Sequence, residues 1–149
     1  MSLHPLAWIE PVFFPGSLFG GAEAIQGVIF SGRPQGFTVM TRRGSWASAR
    51  AKRYIAWKKF VQAEAARQGW QPERFPGGAG LAIFSQAFFE NGVHPDPENV
   101  HKGIVDSLFW SMKGGDKQLG GAFGPPQYSK TDPRVEVSIW RLHGQEARR

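Results

Sequence analysis

Two helix-period stretches set among three short apolar runs predict an α/β (α+β) fold, a small mixed sheet carrying two main helices. Residues 45–68 and 97–112 repeat apolar side chains at helical spacing, whereas residues 25–31, 81–90 and 134–142 are brief and rich in β-branched and aromatic residues. At 149 residues the chain has the length of one domain with a real hydrophobic core. The expected organisation is an N-terminal arm over residues 1–24, the domain over 25–142 and a polar tail over 143–149.

The arm places Trp8, Phe13, Phe14 and Phe19 among Pro5, Pro11 and Pro15. Its aromatics are expected to pack on the domain, because exposed they would form an adhesive patch. It has no Lys or Arg and its apolar residues are broken by prolines, so it does not read as a signal peptide. Residues 25–31 (IQGVIFS) predict a strand. Residues 32–44 are turn-rich and carry Arg33, Arg42 and Arg43, as a loop that touches phosphate or as a solvated hairpin. In 45–68, Ser45 or Ser48 can cap a helix, Gly69 can end it, and Tyr54, Trp57, Val61 and Ala65 share its core face. A Pro/Gly-rich connection follows, and then residues 81–90, apolar on both faces as in a central strand. In 97–112, Val100, Ile104, Leu108 and Met112 form a stripe that Val105 and Phe109 widen, with Glu98, Lys102 and Asp106 in a separate polar row. Gly114 and Gly115 end that helix, residues 116–123 predict a short strand or edge segment, and 124–133 a loop. Residues 134–142 alternate Val135, Val137 and Ile139 against Glu136, Ser138 and Trp140, which predicts a strand with one covered face.

The net charge is +6 and the isoelectric point about 10.1, which favours a polyanionic partner. Between Arg33 and Arg67 lie nine of the 18 basic residues and one acid, Glu64. That clustering fits a surface that follows a phosphate backbone, with Arg33, Arg42, Arg43, Arg50, Lys52, Arg53, Lys58 and Lys59 as the DNA contacts. The absence of cysteine excludes disulfides, thiolate zinc sites and cysteine nucleophiles. No apolar run approaches the ~18 residues a membrane span requires, so no membrane partner is expected. Nucleotide-binding, serine-hydrolase and zinc-protease signatures do not occur.

The chemistry concentrates at HPDPENVHK, residues 94–102. Asp96, Pro97 and Glu98 fit a helix start: Asp as cap, Pro at the first position, Glu in the first turn. They equally fit a divalent-metal site, because Mg²⁺ takes hard oxygen ligands and needs few carboxylates. Lys102, one turn past Glu98, either pairs with Glu98 or Asp106 or serves a phosphate; Asp116 is either a third ligand or a solvated loop acid. His94 and His101 lack a matching third ligand and are read as structural.

Asp96-Pro97-Glu98-Asn99 followed by Lys102, Asp106 and Leu108 resembles the D-x-D-N-x-x-K-x-x-x-D-x-L motif of RusA-type Holliday junction resolvases, and Gly115-Asp116-Lys117-Gln118 resembles the D-D-x-Q element that follows it. Glu98 stands for the second Asp and Gly115 for the first Asp of the second element; residues 32–36 match the family's Pro/Asn-rich loop only loosely. The resemblance implies a RusA-like domain and a homodimeric, Mg²⁺-dependent endonuclease that resolves four-way DNA junctions. Asp96, Glu98 and Asp116 would be its metal ligands, with Lys102 completing the catalytic set. A cytoplasmic protein, bacterial or phage-encoded, is the matching expectation. Two further readings accompany it: a nucleic-acid-binding module of the same fold that does not cleave, and a Mg²⁺-dependent nuclease acting on flaps or forks.

Overall fold

A computed structural model describes residues 22–37, 49–75, 80–109 and 120–142. Strand β1 (Ala22–Ser31) is followed by helix α1 (Ala49–Arg67), a 3-10 turn at Pro72–Arg74, strand β2 (Leu81–Phe89), helix α2 (Pro97–Leu108) and strands β3 (Gly120–Phe123), β4 (Gln127–Tyr128) and β5 (Arg134–Leu142). The five strands form one mixed sheet, so the α+β class is met. β5 lies between β1 and β2 and runs antiparallel to both, while β3 and β4 lie end to end along the other edge of β2, parallel to it. No helix among the described residues is long and apolar enough to cross a membrane.

Both helices cover the same face of the sheet. Val28 and Phe30 of β1, Leu81 and Ile83 of β2, and Val137 and Ile139 of β5 meet Tyr54, Trp57 and Val61 of α1 and Val100, Ile104 and Leu108 of α2. Each aliphatic side chain fully buried here contributes about 1.5–3 kcal/mol. α1 ends as its sequence predicts: Gly69 sits at φ +98°, and the amides of Gly69 and Trp70 donate to Ala66 and Ala65. Those two bonds close the last turn, and glycine takes the left-handed position without strain.

Three expectations need correction. β1 begins at Ala22, inside the segment assigned to the arm. The described part of α2 stops at Leu108, short of Met112: Phe109 leaves helical geometry (φ −119°, ψ 28°), and the Trp70 indole donates to the freed Leu108 carbonyl at 3.2 Å. β5 is covered on both faces, because Glu136, Ser138 and Trp140 are as buried as Val135, Val137 and Ile139. Its polar side chains are tolerated there because they are bonded: Arg134 donates to Glu136 at 2.8 Å, and the Trp140 indole donates to Ser138 Oγ at 3.0 Å. The caps Ser45 and Ser48, and the arm aromatics Trp8, Phe13, Phe14 and Phe19, lie outside the described residues.

Gly121 is where β3 meets β2 most closely. It adopts φ +147°, and a β-carbon there would stand 2.1 Å from the Ile83 carbonyl oxygen. Gly121→Ala is expected to lower stability by roughly 2–4 kcal/mol, read from the urea midpoint; an unchanged midpoint would show that the edge strand does not seat in this way.

Candidate active site at the start of α2

Asp96 is the N-cap of α2. Its backbone is extended (φ −63°, ψ 132°) and its Oδ1 accepts the Glu98 amide at 2.9 Å. The capping role is therefore real, and it uses one carboxylate oxygen. Glu98 projects from the first turn into solvent and, among the described residues, enters no ion pair.

The loop after β1 fixes this helix start. Phe37 N–H donates to the Asn99 carbonyl at 3.0 Å. Gly36 passes so near that a β-carbon on it would lie 3.1 Å from Pro95 Cβ. Arg33 reaches across to Glu90 at 2.9 Å; both side chains are exposed, so the pair adds at most about 1 kcal/mol.

α1 is fastened to α2 through Asp106. Tyr54 donates its phenol proton to Asp106 Oδ2 at 2.7 Å, and Lys58 Nζ lies 3.0 Å from the same oxygen. Burial, together with the Asp106 carboxylate, holds the Tyr54 phenol far above its ordinary range, so it remains a donor. Gly103 lets the helices approach: a β-carbon there would meet the Tyr54 ring at 3.3 Å. Asp106 thus faces α1 instead of extending a row with Lys102. Lys102 is exposed, and among the described residues its ammonium has no carboxylate partner.

The basic residues divide. Lys58 is engaged by Asp106 and Arg33 by Glu90. Arg50, Lys52, Arg53 and Lys59 are exposed and form no ion pair among the described residues. Arg50 and Arg53 line a cavity together with Gln35, Tyr54, Asp96 and Asn99. Arg42, Arg43 and Asp116 lie outside the described residues. Among the described residues no group of three or more His, Cys, Asp or Glu is able to hold a metal ion. Gly120 pairs with Ala82, at the opposite end of β2 from Phe89, which is about 23 Å of strand. A cation shared by Asp116 with Asp96 therefore requires the intervening residues to lead back towards the start of α2.

His94 and His101 have structural partners. His94 stacks on Phe89 with ring centroids 3.9 Å apart. Its Nδ1 lies 2.7 Å from the Pro95 carbonyl and its Nε2 3.0 Å from the Tyr128 hydroxyl. A carbonyl only accepts, so Nδ1 carries the proton and Nε2 accepts from Tyr128. His101 Nδ1 lies 2.7 Å from Ser85 Oγ, tying α2 to β2. Sequence reasoning missed Tyr54 as a polar anchor, because helical spacing marked it only as core. Asn99 enters the sequence reading only as part of the motif and Gln35 only as part of the loosely matched loop, because nothing along the chain announces their shared cavity.

In comparisons with known proteins, no family model matches the chain and no curated protein matches it.

Burial pushes the His101 imidazole down to about 4, against an ordinary value near 6.5. The unfolded chain then takes up a proton that the folded protein refuses. Stability contributed by neutral His101 is complete above pH 6.5 and falls by roughly 1.4 kcal/mol per pH unit as the pH drops from there towards about 4. Urea midpoints of the protein and of His101→Gln are expected to diverge between pH 7 and pH 5, the variant losing less. Parallel curves would contradict the buried neutral histidine.

Proposed function

We propose that this protein is a Mg²⁺-dependent endodeoxyribonuclease that cuts branched DNA, four-way junctions foremost, in the manner of the RusA-type resolvases its motif resembles. The observation that carries the reading is a Lys102 ammonium with no carboxylate partner among the described residues, on the helix that Asp96 caps and Glu98 opens, with Asp96 lining a cavity together with Arg50 and Arg53. The donor set fits a hard cation: Asp96 keeps a second carboxylate oxygen beyond its cap bond, and Glu98 retains both of its own among the described residues.

Asp96 and Glu98 would hold the ion, with Asp116 as the third acid that the resemblance implies. When bound, Mg²⁺ supplies a water of lowered pKa and offsets phosphate charge. The Glu98 amide orients the Asp96 carboxylate, so the ligand is set before substrate arrives. Lys102 stabilises the negative charge that grows on the phosphate or leaving oxygen. The cations of α1 that form no ion pair among the described residues hold the DNA backbone, and two such sites in a symmetric homodimer suit paired nicks in a two-fold junction. The cap bond of Asp96 favours a second reading, a DNA-binding module whose acids only start a helix.

Labelled four-way junction, flap and linear duplex incubated with Mg²⁺ or EDTA distinguish the readings. Paired, Mg²⁺-dependent nicks in the junction are expected. Asp96→Asn retains a good cap, yet is expected to lower the rate at least ~100-fold, and Lys102→Gln by about 10²–10³. Binding without cleavage supports the second reading, cleavage confined to flaps indicates a flap nuclease, and a fully active Asp96→Asn removes the proposed metal site.

A further inference from the structure

The cavity that Asp96 shares with α1 has a chemistry of its own. It encloses about 230 Å³, the space of several waters at about 30 Å³ each, and so admits a phosphate group. Its walls carry two guanidinium groups, Arg50 and Arg53, against one carboxylate, Asp96, with the side-chain amides of Gln35 and Asn99 as further polar lining. Neither arginine meets a carboxylate within ion-pair distance among the described residues. No acid occupies the first turn of α1, so nothing there offsets them. Planar guanidinium forks match phosphate oxygens, and two of them outweigh a single like-charged neighbour.

We infer that this cavity is a phosphate subsite, in which Arg50 and Arg53 seat a DNA backbone phosphodiester next to the one presented to Asp96. It rests on the nuclease reading for its substrate, but its binding needs no metal. It also carries a sign. Without metal the Asp96 carboxylate repels the seated phosphate, so removing that charge strengthens binding; Arg74, exposed on the turn after α1 and outside the cavity, gives only a diffuse contribution.

Binding of fluorescent four-way junction to the full-length protein in EDTA tests this across a range of salt. Arg50→Gln and Arg53→Gln are each expected to weaken binding about five- to tenfold and to reduce the salt slope by about one. Arg74→Gln is expected to cost less than twofold, and Asp96→Asn to tighten binding several-fold. On the unaltered protein, inorganic phosphate is expected to displace DNA more strongly than chloride at matched ionic strength. A 5′-phosphorylated single strand should bind no better than its unphosphorylated form, since the site takes an internal phosphodiester; a preference for the phosphorylated end would overturn that assignment. Equal losses for Arg50→Gln, Arg53→Gln and Arg74→Gln, no gain for Asp96→Asn, or equal displacement by phosphate and chloride would each overturn the subsite. A protein that binds in this pattern but never cuts refutes the nuclease and keeps the subsite. One that cuts while indifferent to both arginine substitutions does the reverse.

Discussion

The bond from the Tyr54 phenol to the Asp106 carboxylate sets the arrangement of everything else around α2. It is made between two helices that pack closely at Gly103, where a β-carbon would meet the Tyr54 ring at 3.3 Å. It occupies Asp106, which would otherwise face Lys102 one turn away on its own helix. It also anchors α1 beside α2, so that Arg50, about one turn before Tyr54, and Arg53, its immediate neighbour, arrive at the cavity that Asp96 lines. A single buried donor thereby decides which charges are spent on structure and which are left available. A bonded phenol against a carboxylate is also hard to replace, since an unpaired partner there costs about 1–3 kcal/mol.

The charges then fall into two classes. Arg33 with Glu90, Lys58 with Asp106, and Arg134 with Asp132 and Glu136 are neutralised within the fold. Arg50, Arg53 and Lys102 keep their charge uncompensated among the described residues, and all three belong to the helices that meet beside Asp96. A surplus of exposed positive charge attracts polyanions, and the proposed function draws on that attraction.

Patterns that depend on neighbours along the chain were legible in the sequence. The core face of α1, its glycine stop and the doubly buried β2 all follow from spacing and from local backbone chemistry. The failures come from contacts that spacing along the chain does not announce. Glu136 and Ser138 looked like a solvated face because alternation cannot reveal that Arg134 and the Trp140 indole bond them inside. Asp106 looked like a surface partner of Lys102 because Tyr54 lies 52 residues away. His101 gave no sign of Ser85, its partner on β2. At the site, the two acids and the lysine were visible as a motif, whereas the cavity that unites Arg50 and Arg53 with Asp96 exists only in three dimensions. Asp116, the third acid of the motif, lies outside the described residues.

Metal binding at the start of α2 is the claim on which the functional reading turns. Titrating Mn²⁺, a paramagnetic stand-in for Mg²⁺, into isotopically labelled full-length protein measures it without any substrate. Selective broadening of the amides of Asp96, Glu98 and Asn99 at low metal, abolished in Asp96→Asn, is the predicted result. Broadening centred elsewhere, or unchanged by that substitution, would contradict it.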